Sequence, residues 1–296
     1  MLLVTAWACL HFAPEQTGPT LLLTYFVVPQ LWLLLTVPLL LVSVWRRDSW
    51  AMVGSAGAFA LSFGLLGWQL PDAAAHTSPT LRLMTYNIAR GAGGADALAA
   101  TIRAQRPDVL CLQETNTLKA GVLDDLLRSL PGFQARRSRE VVILSHFPML
   151  ASREDLLPTT ARQLLSAELS VEGTRLTVLN AHFTTIPLRG GWLEARDSRR
   201  QQLAAFLRVA HAAPGALVAC GDFNTPARGQ VYAELGQNLR NAFDAAGSGF
   251  GYTFPSNVPL VRIDHLWLRD VRAVSAFVPD SRASDHRPLV ADLALP

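Results

Sequence analysis

The chain has 296 residues, half of them hydrophobic, with a formal net charge of +3 and a mean hydropathy of +0.23. This length fits one large domain with at most a small extra segment, and so mild a charge does not by itself indicate a nucleic-acid partner. The three cysteines form no CxxC pair, which argues against a zinc ribbon or a disulfide framework, so we expect Cys111 and Cys220 to be free thiols in buried strands.

The first 70 residues are predicted to form a membrane anchor. Residues 21–44 and 50–70 are uncharged, strongly apolar stretches, each long enough for the roughly 20 residues that a helix needs to cross a bilayer. Pro29 and Pro38 interrupt the first stretch, which a transmembrane helix tolerates better than a soluble helix does. Residues 1–13 are apolar but short, so we expect two or three transmembrane helices.

The charges flanking the two apolar stretches predict the orientation of the anchor. Arg46 and Arg47 lie in the short loop between the stretches, and the positive-inside rule places this loop in the cytoplasm. We therefore expect a multi-pass protein of the cell (inner or plasma) membrane, with the following domain outside the cytoplasm. A cleaved signal peptide is the alternative, but it requires a basic n-region, whereas the first basic residue here is Arg46. Residues 71–80 are typical of a flexible linker.

Residues 81–296 show the patterns of an alternating α/β domain. The apolar periodicity predicts helices at 95–105, 118–130, 192–211 and 229–239, and strands at 81–88, 108–113, 141–144, 163–171, 175–180, 216–220, 263–268, 273–278 and 288–293. Several strands follow one another without a helix between them. This favours mixed sheets with helices outside over an all-parallel doubly wound sheet.

Polar and ionisable residues recur where these apolar runs end. They are Asn87, Glu114, His182, Asp222, Asn224, Asp264, Asp285 and His286. One such residue often only caps a strand or turns the chain. Carboxylates delivered by several strand ends, with a histidine beside one of them, are the groups that metal-assisted attack of water on a phosphate requires.

Six short motifs carry a resemblance to a known family. They are TYNI (85–88), LQE (112–114), NAH (180–182), GDFN (221–224), IDH (263–265) and SDHRP (284–288). In this order the sequence resembles the endonuclease/exonuclease/phosphatase (DNase I-like) superfamily, and it is identified as a membrane-anchored bacterial member. The resemblance covers residues 80 to 296. It implies a four-layer α/β sandwich of two mixed β-sheets flanked by helices, here preceded by the transmembrane helices.

The resemblance also implies roles for the polar residues. Asn87, Glu114 and Asp285 would hold Mg²⁺, with Mn²⁺ as the alternative ion. Asp222 would orient or deprotonate the attacking water, and Asn224 would hold the phosphate. Asp264 would keep His286 cationic toward a phosphate oxygen, and His182 would face the leaving oxygen. Arg162 is a further candidate for a phosphate contact.

These expectations lead to a Mg²⁺-dependent phosphodiester hydrolase of the endonuclease/exonuclease type, tethered to the membrane. Nucleic acid is one candidate substrate, since six arginines could line a phosphate track: Arg136, Arg137, Arg139, Arg196, Arg199 and Arg200. Phospholipid or sphingomyelin headgroups are the alternative, because the anchor would keep the site near the bilayer. A rival of another class is a membrane-anchored binding protein that kept the fold and lost the chemistry. Nothing in the sequence indicates a protein partner.

Overall fold

The computed structural model describes Glu15, residues 17–70 and residues 78–296. The helices are α1 (Gly18–Phe26), α2 (Gln30–Trp45), α3 (Ser49–Gly64), α4 (Ala95–Gln105), α5 (Val122–Arg128), α6 (Trp192–Ala212), α7 (Gly229–Asn238) and α8 (Ala242–Ala246). The strands are β1 (Leu81–Asn87), β2 (Val109–Gln113), β3 (Gln134–Arg137), β4 (Val141–Ser145), β5 (Met149–Leu156), β6 (Gln163–Val171), β7 (Thr174–His182), β8 (Ala216–Asp222), β9 (Arg240–Asn241), β10 (Asp264–Arg269), β11 (Arg272–Phe277) and β12 (Leu289–Ala294). Residues 1–13 and most of the predicted linker lie outside the described residues.

The strands form two six-stranded sheets. Sheet 1 has the order β11-β12-β1-β2-β4-β3, and sheet 2 has the order β5-β6-β7-β8-β10-β9. Each sheet has one parallel pair near its centre, β1 with β2 and β7 with β8, while its other neighbours are antiparallel. Both sheets are therefore mixed, as predicted.

Alternating side chains divide the core into layers. One face of each sheet contributes to a cluster between the sheets, which includes Leu83, Val178 and Val218. The opposite face of sheet 1 packs under α4 and α5, and that of sheet 2 packs under α6 and α7. Helix, sheet, sheet and helix follow one another, which confirms the predicted α/β sandwich.

A disulfide bond joins the two sheets through this core, and the prediction of free thiols is wrong. Cys111 on β2 and Cys220 on β8 are fully buried, their Cα atoms lie 6.6 Å apart, and their sulfur atoms are bonded. Each cysteine lies on the inner face of its sheet, so the packing of the sheets brings the two side chains together. The spacing of 109 residues carries no local signal of this contact.

The N-terminal helices are shorter than the two spans predicted at 21–44 and 50–70. Within the part of the chain that the structure describes, no single helix is long and apolar enough to cross a membrane. The pair α1 and α2 meets the length and composition requirements together, but its two helices are bent by 79°. Pro29 is the N-cap of α2, and the first predicted span breaks there because proline lacks the amide hydrogen that a continuous helix needs.

The described N-terminal segment packs against the α/β domain. The side-chain amide of Gln30 donates to the carbonyl of Leu260 at 2.9 Å, and the hydroxyl of Tyr252 donates to the carbonyl of Leu66 at 2.8 Å. Trp68 also meets the ring of Phe250 edge-on, with centroids 4.7 Å apart. Both ends of the α2–α3 hairpin therefore rest on residues 249–260, the loop that precedes β10.

Candidate active site

Three neighbouring strands of sheet 2 place their polar ends in one row. The register pairs His182 at the end of β7 with Asp222 at the end of β8, and Asp222 with Asp264 at the start of β10. Each of these residues is an even number of positions from an inward-facing residue of its strand, such as Val178 and Val218. The three polar side chains therefore lie at one end of the core between the sheets, and all three are buried.

A glycine allows β7 and β8 to meet so closely at this end. Gly221 has φ 147°, and a Cβ atom built there would lie 1.9 Å from the carbonyl oxygen of Ala181. Any other residue would push the strands apart directly beside Asp222.

Sheet 1 places Asn87 and Glu114 beside this row. Asn87 ends β1, and its side-chain nitrogen donates to Asp222 Oδ2 at 3.0 Å and to Glu114 Oε1 at 3.2 Å. Its Oδ1 accepts from the backbone N–H of Ala89 at 2.9 Å. Glu114 follows β2 in the left-handed region, with φ 54°. The amide of Asn87 thus connects the polar ends of the two sheets.

His286 and Asp264 form a buried pair beside Asp222. The Nδ1 atom of His286 lies 2.8 Å from Asp264 Oδ2, and its Nε2 atom lies 3.7 Å from Asp222 Oδ2. Burial alone would lower the pKa of the His286 imidazole, but the carboxylates of Asp264 and Asp222 outweigh burial and raise that pKa to about 10. The ring is therefore a cation at neutral pH. The role predicted for the pair requires such a cation, and contact of His286 with a phosphate oxygen stays a prediction.

Each ring nitrogen of His182 faces at least one acidic side chain. Its Nε2 atom is 3.7 Å from Asp222 Oδ2 and 3.9 Å from Glu114 Oε1. On the other side, Nδ1 lies 3.5 Å from Glu140 Oε2 and also contacts the guanidinium of Arg162. Arg162 thus contacts a predicted catalytic histidine directly.

Glu140 is a site residue that the sequence reasoning missed. Burial acts to raise its pKa, but the hydrogen bond and charge of His182 and the charge of Arg162 lower it below the usual range. The predicted site residues follow apolar runs, whereas Glu140 directly precedes the apolar strand β4. The sequence feature that could have identified Glu140 is an acidic residue directly before a buried apolar strand.

Two carboxylates beside the buried row could hold a divalent cation. Glu114 and the exposed Asp285 line one open cleft of about 510 Å³, with Ala89 and Ser284 on its wall. Magnesium is commonly bound by one or two carboxylates while it keeps several waters, so this solvated oxygen site fits such an ion.

A second acidic group has ligand-like geometry but favours a proton. One ligand atom from each of Asp222, Asp264 and His286 lies within 4.8 Å of the others. The 2.8 Å contact between Asp264 and His286 is an ordinary hydrogen-bond length, and a cationic imidazole repels a metal ion. We therefore assign this group to hydrogen bonding.

Asn224 lies at the edge of the site, and the structure gives it local contacts. Its backbone N–H donates to Asp222 Oδ1 at 2.8 Å, and its side-chain nitrogen donates to the carbonyl of Phe183 at 3.0 Å. These bonds connect the segments that follow β7 and β8. Contact of Asn224 with a phosphate stays a prediction.

The six arginines of the expected phosphate track lie in two places. Three are on or just after β3 of sheet 1 (Arg136, Arg137 and Arg139), and three are on α6 over sheet 2 (Arg196, Arg199 and Arg200). Arg199 is 1% exposed, so it is not part of a solvated helix face. Arg137 pairs with Asp124 at 2.8 Å, on α5 and the β3 edge of sheet 1. Arg199 faces sheet 2 from α6, whereas β3 is the edge strand of sheet 1. A common phosphate track stays a prediction.

The comparisons with known proteins agree with this architecture. The sequence model of the Endonuclease/Exonuclease/phosphatase family matches residues 84–286, and no curated protein matches the chain. Three solved structures show the same fold, each with 17–21% identity to the chain. TDP2 of D. rerio in complex with single-strand DNA product has a TM-score of 0.61 at 20% identity, covering 72% of this chain and 98% of that one. Mannosyl-6-phosphatase of Bacteroides thetaiotaomicron has a TM-score of 0.59 at 17% identity, covering 72% of this chain and 99% of that one. The human Nocturnin catalytic domain with bound sulfate has a TM-score of 0.58 at 21% identity, covering 75% of this chain and 97% of that one.

Proposed function

Because this chain belongs to the Endonuclease/Exonuclease/phosphatase family, whose members hydrolyse phosphoester bonds with divalent metal ions, we propose that it is a Mg²⁺-dependent phosphodiester hydrolase tethered to a membrane. One observation carries the proposal. The buried row of His182, Asp222 and Asp264, joined by Asn87 and His286, lies beside an open carboxylate cleft. The alternative of a binding protein without catalysis finds no support, because none of these groups is missing.

The buried row provides the proton chemistry of hydrolysis. Asp222 accepts from the amide of Asn87, which leaves its carboxylate oriented to hold or deprotonate a water molecule. The cationic His286 would donate to a phosphate oxygen and stabilise the negative charge that develops there. His182 would act as hydrogen-bond donor or general acid toward the leaving oxygen, and Glu140 and Arg162 would fix the orientation of its ring.

Glu114 and Asp285 would hold the metal ion, as proposed from the sequence, with Asn87 contributing only if its amide turned its oxygen toward them. The ion would act as a Lewis acid on the phosphate. Mg²⁺ and Mn²⁺ both prefer the oxygen ligands that this cleft offers. The protein residues then have to place the phosphate between the cleft and His286.

The membrane tether is supported by the α2–α3 hairpin. Large apolar side chains on its surface are strongly exposed, among them Leu34 at 70%, Val53 at 69% and Trp50 at 88%. Exposed apolar side chains in such number on one hairpin are typical of a membrane or protein contact. Arg46 and Arg47 in the connecting loop favour a cytoplasmic position for that loop.

An extracytoplasmic position of the catalytic domain is supported by the disulfide, because disulfides persist in oxidising compartments and are rare in the cytosol. Protease treatment of intact spheroplasts tests this orientation directly. Digestion of the domain from outside would support it, and full protection until lysis would contradict it.

Nucleic acid remains the first candidate substrate, and a membrane phospholipid or sphingomyelin is the second. The second is favoured by one observation. Gln30 and Tyr252 fasten the apolar hairpin to the loop before Asp264, so the hairpin would hold this side of the site near a bilayer. The similar structures include both a DNA complex and a sugar-phosphate phosphatase, so the shared fold does not choose between the candidates.

The full chain in nanodiscs with Mg²⁺ tests both substrates in parallel. Nicking of supercoiled plasmid is measured in one arm, and phosphocholine release from sphingomyelin and phosphatidylcholine in the other. EDTA should abolish the activity in either arm. Plasmid nicking that weakens steeply with salt would support the nuclease, and headgroup release would support the lipid phosphodiesterase. Activity in neither arm would contradict both.

A further inference from the structure

A buried arginine connects the two segments that carry the catalytic residues of sheet 2. Arg199 on α6 donates to the carbonyls of Thr184 and Phe223, and to the hydroxyl of Thr225. Its second terminal nitrogen also reaches the carbonyl of Phe223, at 3.2 Å. A planar guanidinium can satisfy several acceptors in fixed directions, so this side chain sets the spacing of the segments it joins.

Both of these segments begin at residues of the site. Thr184 comes two residues after His182, and Phe223 lies between Asp222 and Asn224 in the chain. A shift of either segment would change the distance between His182 Nε2 and Asp222 Oδ2, which is 3.7 Å. Arg199 is therefore placed to position catalytic groups without touching a substrate.

The N-terminal helix α1 covers this arginine. The ring of Tyr25 lies over the guanidinium of Arg199, with 5.2 Å from Cζ to the ring centroid. The end of α1 also receives a hydrogen bond from the second of these segments, from Arg228 to the carbonyl of Val27 at 3.4 Å. An aromatic face both attracts a cation and excludes water from it, which strengthens the bonds that the cation makes.

We propose that α1 supports catalysis, because Tyr25 covers Arg199 and Arg199 fixes the positions of the segments after β7 and β8. In this account the N-terminal segment does more than tether the domain. Displacement of α1 would expose the guanidinium to water, loosen its bonds to Thr184 and Phe223, and misplace His182 relative to Asp222. Tyr25 and Arg199 are thus positioning residues for the proposed hydrolysis.

Tyr25→Leu in the full chain is the decisive variant, since it removes the ring and leaves Arg199 intact. With bis(4-nitrophenyl) phosphate and Mg²⁺ in nanodiscs, we expect kcat to fall about tenfold, because small misplacements of catalytic groups are costly, while KM stays within about twofold. Tyr25→Phe keeps the ring and should retain the wild-type kcat. Arg199→Lys keeps the charge but cannot bridge the same acceptors, so its kcat should fall at least as far.

Phe133→Leu is a matched control, because it removes a ring that stacks on His146 with centroids 3.7 Å apart, directly before β3 and after β4 of sheet 1. It should leave kcat unchanged. Hydrogen exchange of the wild type and Tyr25→Leu supplies a readout that does not depend on turnover. The amides of residues 183–186, 223–225, 227 and 228 should exchange faster in the variant, while those of β1 and β2 should not change.

The turnover arm rests on the proposed function, and the exchange arm does not. If the wild type hydrolyses no phosphodiester, the proposed function fails, while exchange still decides whether α1 holds these segments. Wild-type kcat and wild-type exchange in Tyr25→Leu would overturn the inference. An equal loss of kcat in Phe133→Leu would also overturn it, since the effect would then be general destabilisation.

Discussion

Replacing both Cys111 and Cys220 by alanine should lower the free energy of unfolding by several kcal/mol. The bond closes a loop with a sequence separation of 109 residues. Loss of chain entropy in the unfolded state for a loop of that length corresponds to about 4.8 kcal/mol at 25 °C. For a domain of this size, such a change should lower Tm by about 10 to 20 °C.

Circular dichroism melts of the full chain, wild type against the double alanine variant, measure this effect. A thiol count after denaturation without reductant is the direct check of the bond. The chain has three cysteines, so a bond between Cys111 and Cys220 leaves only Cys9 reactive. Three reactive thiols in the freshly purified wild type, or an unchanged Tm in the variant, would refute the reasoning.

Three further predictions concern titratable groups of the site and its surroundings. Asp264→Asn removes the hydrogen-bonded carboxylate of His286, so kcat/KM should fall by about 100-fold and its alkaline limb should move to lower pH; a profile identical to the wild type would count against the pair. Glu140→Gln should lower kcat by about tenfold with little change in KM, because His182 loses its orienting carboxylate. Burial and the charge of Arg262 lower the pKa of His265 to about 3. The unfolded state therefore binds more protons below pH 6.5, and stability falls as the pH drops from about 6.5 toward 3. Urea titrations should show a loss from this group of about 2 kcal/mol between pH 7 and 5, absent in His265→Phe.

The strands that carry the site were predictable because their residues repeat with a clear period. β2 and β8 are continuous apolar runs that end on polar residues, and β1 alternates apolar and polar residues before it ends on Asn87, so each strand could be recognised from its own sequence. The edge strands β3 and β5 were missed because they are polar and largely exposed, so no apolar alternation marks them.

Features that depend on long-range packing could not be predicted. Neither cysteine has a local pattern that identifies its partner, because the contact arises only when the two sheets stack. The same holds for Arg199, whose bonds to Thr184 and Phe223 depend on how α6 lies on sheet 2. Glu140 and His182 come together only because β4 packs against β7, and the local sequence does not show this contact.

Hydrolysis of bis(4-nitrophenyl) phosphate by the full chain, with and without Glu114→Gln, is the most direct test of the central claim. We predict Mg²⁺-dependent turnover that EDTA abolishes and that falls by about 100-fold or more in the variant. Glu172→Gln, at an exposed turn between β6 and β7, is the matched control and should keep wild-type turnover. Turnover that persists in EDTA, or that Glu114→Gln leaves unchanged, would contradict a metal-dependent hydrolase at this site.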